Sequence, residues 1–317
     1  MVKSVKNYLS LVTFAHTVFA MPFALIGFFL GIKYYNNLTG YFSSDKHLSS
    51  GLAPAATFDF PKSVPEIITR LLLVVLCMVF ARNAAMAFNR YLDRHFDGQN
   101  PRTAIREIPN GIISPNSALR FVILNCLLFF LATFLINRMC FYLSPVALFV
   151  ILFYSYTKRF TWLCHLVLGL GLSLAPIGAF IAVTGRFAVV PVLFALSVLF
   201  WVSGFDIIYA LQDESFDKAN NLHSVPAWLG RQKSLHVSSF LHVLSFAAIV
   251  AAGTLGQFSG FYWAGAAIFG FFLIYQHRLV HPNDLSKVNR AFFTSNGIAS
   301  VVFSVLVLTD IFHTIYF

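Results

Sequence analysis

Apolar runs long enough to cross a bilayer follow one another along this chain, with short polar stretches between them. A helix rising about 1.5 Å per residue needs about 20 residues to cross roughly 30 Å of hydrocarbon. Nine runs approach that length, at residues 14–32, 67–88, 119–137, 139–157, 161–184, 187–209, 235–254, 259–277 and 291–315. Each predicts one membrane helix. The seventh and eighth share an uncharged stretch, 234–276, divided only by the glycine-rich GTLGQFSG at 253–260. The first run follows MVKSVK and superficially resembles a secretion signal. It is too long for one and lacks a small-residue cleavage site, so it reads as a retained helix. Residues 33–66, rich in Ser, Gly and Pro with mixed charges, read as a long loop. With no soluble domain, heptad array or low-complexity tail, residues 1–317 read as a single polytopic domain.

Composition agrees: of 317 residues, 58% are hydrophobic and 11% charged, and mean hydropathy is +0.75. Soluble domains carry about a quarter charged residues, so an all-α integral membrane protein is indicated. The 37 phenylalanines are read as lipid-facing and packing bulk. A net charge of +10 would suggest nucleic acid in a soluble protein, but here the cations flank apolar runs and set topology. Of the 22 Lys and Arg, 15 fall on one side and 6 on the other, with Arg82 inside the second run. The positive-inside rule then puts the N-terminus in the cytoplasm and the C-terminus outside, which an odd number of helices satisfies. Cys77, Cys126, Cys140 and Cys164 lie in or beside apolar runs without close pairing, which argues against a zinc site or a disulfide framework.

Charge is scarce and concentrated. Seven of 12 acidic residues fall in two places: Asp93, Asp97 and Glu107 after the second run, and Asp206, Asp213, Glu214 and Asp217 after the sixth. Asn89, Asp93 and Asp97 stand four apart, on one face of a helix with about 3.6 residues per turn. Asp206, Asp213 and Asp217 fall within roughly 40° of one another on a continuous helix, with Tyr209 beside them. Both faces leave the membrane on the same side and predict a shared cavity. Clustered carboxylates in a partly dry site need positive charge. Mg²⁺ supplies it, typically binding one or two carboxylates together with phosphate oxygens. The nearby Arg94, Arg102, Arg106, Lys158 and Arg159 suit diphosphate oxygens. Arg82 is either ion-paired or snorkelling, or part of the anion site.

These residues resemble the UbiA-type membrane prenyltransferases. That family's first motif, NxxxDxxxD, is matched by Asn89, Asp93 and Asp97, and its second, DxxYAxxDxxxD, by Asp206, Tyr209, Ala210, Asp213 and Asp217. Similar segments include HTVFAMPFALIG at 16–27, NPRTAIREIPNG at 100–111, YSYTKRFTWLCH at 154–165 and NRAFFTSNG at 289–297. The resemblance implies nine membrane helices around a central cavity and Mg²⁺-dependent prenyl transfer from a polyprenyl diphosphate to an acceptor. It implies Asp93, Asp97, Asp213 and Asp217 as metal ligands, with Asn89, Arg94, Arg102, Arg106, Lys158 and Arg159 at the diphosphate. The wording is most similar to members acting on 4-hydroxybenzoate, while related members serve another aromatic acid, in ubiquinone or menaquinone synthesis. A bacterial inner membrane with the site facing the cytoplasm is expected.

In such a reaction an electron-rich ring attacks an allylic carbon as diphosphate leaves, and the ring then loses a proton. Asp206 and Tyr209 are candidates for positioning or proton removal; a water or the departing diphosphate are the other acceptors of the proton. His16 is a candidate acceptor contact, or a packed helix-end histidine. A superfamily member with a haem or sugar phosphate acceptor, and a carboxylate-based ion-coupled transporter, are the alternatives. The transporter would show an inverted repeat or broken mid-span helices, and neither is evident.

Overall fold

The structure is a computed structural model and describes residues 7–8, 10–12, 20–44, 61 and 63–316. Its long helices are α1 (Met21–Ser44), α2 (Val64–Gln99), α3 (Pro115–Ile136), α4 (Arg138–Thr157), α5 (Cys164–Thr184) and α6 (Val189–Ala210). A short α7 (Glu214–Ala219) precedes α8 (Val225–Leu255), α9 (Gly260–Leu279) and α10 (Asn296–Tyr316). No strand occurs among the described residues, which hold only an isolated bridge between His281 and Asp284. Among them, seven helical stretches are long and apolar enough to cross a membrane, and Met21–Tyr34 is a shorter apolar helix.

Several boundaries follow from local chemistry. Ser63, Ser114 and Ser224 each accept a backbone N–H three residues on, with Pro65, Pro115 and Pro226 in the first turn, where a missing N–H has no cost. Asn137 ends α3 and caps α4, accepting the Cys140 N–H at 2.7 Å. The weakly marked division at 253–260 does separate two helices, α8 and α9.

Two expectations are corrected and one run is extended. The loop expected over 33–66 is shorter, because α1 continues to Ser44; no proline interrupts its hydrogen-bond ladder in that stretch. The second run is part of a 36-residue helix, so the first acidic motif is helical throughout. The second motif is not one helix: α6 ends at Ala210, a 3₁₀ turn spans Leu211–Asp213, and α7 follows. The tighter turn advances each residue by about 120° rather than 100°, so the single-face geometry expected for Asp206, Asp213 and Asp217 does not apply.

The core is aromatic. Trp201 of α6 packs with Phe23 of α1 at 5.5 Å and Phe269 of α9 at 5.5 Å, and Phe303 of α10 closes on Phe269 at 5.3 Å. Trp201 Nε1 donates to Asn296 Oδ1 at 2.9 Å, satisfying the one polar atom of a fully buried ring. Other phenylalanines, such as Phe134, Phe149 and Phe240, face outward. The chain's phenylalanines therefore divide between core and periphery.

Helices α1 and α5 approach closely at Gly27, where an added Cβ would overlap the Pro176 carbonyl oxygen. The obstruction is backbone, which no rotamer change relieves. Replacing Gly27 by alanine gains up to about 1 kcal/mol in helix propensity, while forcing the helices apart costs about 1–3 kcal/mol. Gly27→Ala is therefore expected to lower the melting temperature in detergent, and an unchanged or higher value would refute the close contact.

Candidate active site

The C-terminal ends of α2, α4 and α6 meet at one end of the molecule, around a cavity of about 500 Å³. Asn89, Asp93, Asp97, Arg102, Arg106, Lys158, Arg159, Asp206, Tyr209, Asp213 and Asp217 all line it. The sequence thus named most of the polar lining. Arg94 is an exception: one residue past Asp93 on the helix, it points outward, donates to the Tyr91 carbonyl at 2.6 Å and stacks on the Tyr91 ring. His16 lies outside the described residues.

On α2, the four-residue spacing places Asn89 Nδ2 3.0 Å from Asp93 Oδ2, to which it donates. Each of the four carboxylates expected to hold metal is paired with a cation. Asp93 meets Arg159 at 3.0 Å, Asp97 meets Arg106 at 2.6 Å, Asp213 meets Arg102 at 2.5 Å, and Asp217 meets Lys158 at 2.7 Å. The pairing crosses between motifs. Arg102, in the loop after the first motif, binds Asp213 of the second through two nitrogens and also donates to the Tyr209 hydroxyl at 3.0 Å. Lys158 and Arg159 are adjacent in sequence, yet one reaches the second motif and the other the first.

Lys158 and Arg102 lie in the polar connections. Burial works against the Lys158 ammonium, but Asp217 more than reverses this and holds it above the usual lysine range. Burial likewise opposes the Arg102 guanidinium, and Asp213 outweighs it, strengthening its charged form. Ser224 links capping to the site: its hydroxyl accepts the Ala227 N–H that starts α8 and donates to Asp217 Oδ2 at 2.9 Å.

The residues fit a hard divalent cation. Among the described residues no group of three or more His, Cys, Asp or Glu stands close enough to form a ready metal cage. The donors are nevertheless carboxylate oxygens, and Asp97 Oδ2 is buried without a hydrogen-bond partner. Asp217 Oδ1 is approached by Lys158 Nζ but lacks hydrogen-bond geometry. Both oxygens can still accept a cation.

Sequence reasoning missed two contributors and left a third undecided. Asn100 donates from its amide to Asp213 Oδ1 at 3.3 Å; its place just after the first motif was the available signal. His165, the last residue of the 154–165 segment, lies 2.6 Å from Asp206. Arg82, left between two roles, lines both the polar cavity and an apolar one of about 340 Å³, and its Nε is buried without a hydrogen-bond partner. Met86, Tyr154, Leu168 and Leu172 also line both cavities, so the polar chamber and the apolar one adjoin across these five side chains.

The sequence profile of the UbiA prenyltransferase family matches residues 48–297. A protein named 4-hydroxybenzoate octaprenyltransferase in Nitrosospira multiformis is 33% identical over 239 residues, 75% of this chain and 82% of that protein. One of the same name in Tolumonas auensis is 32% identical over 240 residues, 75% and 83% of the two chains. The fold is that of a UbiA homologue from Aeropyrum pernix, with a TM-score of 0.73, 24% identity and coverage of 94% and 98%. It is also that of a UbiA homologue from Archaeoglobus fulgidus bound to GPP and Mg²⁺, with a TM-score of 0.70, 18% identity and coverage of 96% and 99%. With its two acidic motifs facing one cavity, this chain belongs to the UbiA prenyltransferase family.

Proposed function

We propose that this prenyltransferase moves a polyprenyl chain from a polyprenyl diphosphate to an aromatic acid, 4-hydroxybenzoate or a related one, in quinone biosynthesis. The observation that carries the reading is a polar chamber, lined by paired carboxylates and cations, that lies directly against an apolar one. A diphosphate with a hydrocarbon tail has that same division. The names of the relatives from Nitrosospira and Tolumonas support the acceptor class.

In this reading Asp93, Asp97, Asp213 and Asp217 hold Mg²⁺, which stabilises the negative charge of the leaving diphosphate. Asn89, Arg102, Arg106, Lys158 and Arg159 bind diphosphate oxygens. Arg94 has no part in it, since it faces away. The apolar chamber takes the first prenyl units and shields the allylic carbon from water as it becomes cationic. Tyr209, packed at a tilt against Phe292 with ring centroids 4.3 Å apart, offers an aromatic ring to that charge. Arg82 at the junction anchors the carboxylate of the acceptor, which supplies the partner that a buried guanidinium requires. As a single domain of nine membrane helices, with the cationic side inward, the protein opens its polar chamber to the cytoplasm of a bacterial inner membrane.

The direct test incubates membranes holding the protein with labelled polyprenyl diphosphate and a panel of aromatic acids, with and without EDTA. A prenylated acid whose formation stops with EDTA is expected; no product, or product indifferent to EDTA, would defeat the proposal. Asp93→Ala and Asp213→Ala should each reduce turnover by about 100-fold or more while the protein still inserts. A variant retaining activity would remove its residue from the site. Arg82→Gln should raise KM for the acid about tenfold and leave that for the diphosphate unchanged, because one charge-assisted contact is lost. An equal effect on both substrates would place Arg82 elsewhere.

A further inference from the structure

Asp206 differs from the other motif carboxylates in having a histidine, rather than Arg or Lys, as its partner among the described residues. His165 is the second residue of α5 and is buried, with 4% of its surface exposed. The Val225 backbone N–H lies 3.3 Å from His165 Nε2 and can only donate, so Nε2 accepts and the ring proton sits on Nδ1. Nδ1 therefore donates to Asp206 Oδ2 at 2.6 Å. Ser203 Oγ, one turn before Asp206 on α6, lies 3.1 Å from the His165 carbonyl and shares its proton between that oxygen and the Leu199 carbonyl at 2.7 Å. The imidazole is held at both ring nitrogens. A neutral donor orients a carboxylate without cancelling its charge, and Asp206 Oδ1 has no hydrogen-bond partner among the described residues in a residue that lines the cavity.

We propose that His165 is a positioning residue that fixes Asp206 so that Oδ1 removes the ring proton. This rests on the prenyl-transfer reading above. The ring carbon forms a bond to the allylic carbon, and the C–O bond to diphosphate breaks with its electron pair leaving on oxygen. The C–H bond at the substituted carbon then breaks, its proton passing to Asp206 Oδ1 and its electron pair restoring the aromatic ring.

A double-mutant cycle tests this, using His165→Ala, Asp206→Asn and the pair, with an aromatic acid deuterated at the prenylated position. Mg²⁺-dependent binding of inorganic diphosphate is measured in parallel. His165→Ala should lower kcat about 10- to 100-fold, within the range of general-base effects, enlarge the primary isotope effect and leave diphosphate binding unchanged. The double variant should be no slower than Asp206→Asn alone, because residues acting through one another are not additive. His165→Asn, whose amide can donate where Nδ1–H does, should recover most of the rate. The assignment is overturned if the two substitutions multiply, if the isotope effect is unchanged, if His165→Asn is as slow as His165→Ala, or if diphosphate binding falls with kcat. Wild-type protein that prenylates no aromatic acid overturns the underlying reading as well.

Discussion

Neutralising carboxylates at the end of a membrane bundle is the constraint around which this molecule is arranged. Stripping a carboxylate of water carries a penalty of several kcal/mol, and removing one partner of a buried pair costs about 3–5 kcal/mol. Asp217 is fully buried and Asp97 nearly so. Asp97 takes its cation, Arg106, from the loop just after α2, but Asp217 takes Lys158 from a distant segment, and Arg102 and the adjacent Lys158 and Arg159 stitch the two acidic motifs to each other. The ion pairs therefore position the ends of α2, α4 and α6 as much as they balance charge.

The same arrangement suits the proposed chemistry. Cations already facing the cavity can turn to a bound diphosphate, and the carboxylates they release can take a divalent ion. Ligand and metal then replace contacts that the protein makes with itself, and charge is compensated before and after binding. Asp206 stands apart from this exchange, because its partner is an immobilised neutral ring rather than a mobile cation. In the proposed mechanism, charge stabilisation and proton removal thus fall to different carboxylates of one motif.

Much of this was legible in the sequence, and what was not has physical causes. The helical reading of Asn89, Asp93 and Asp97 held because α2 is continuous, so spacing alone fixes their face. The second motif passes through a 3₁₀ turn at Leu211–Asp213, which no periodicity in DIIYALQDESFD announces. Its carboxylates nevertheless reach the same cavity, Asp213 held there by Arg102 and Asn100. Arg94 and Arg102 are equally basic, but Arg94 sits within α2 with its side chain turned outward, whereas Arg102 lies in the loop beyond the helix and reaches Asp213. His165 and Arg82 depend on neighbours from distant segments, Val225 and Asp206 for one and the meeting of two cavities for the other.

The central claim is that both acidic motifs form one anion and metal site, joined by crossed ion pairs. Equilibrium binding of inorganic diphosphate in the presence of Mg²⁺ tests it most directly, in purified wild-type protein and in Asp93→Asn and Asp213→Asn. The account predicts that each substitution alone weakens binding by about tenfold or more, as expected for loss of a charged contact. Wild-type affinity in either variant would show that one motif suffices, and would contradict the account.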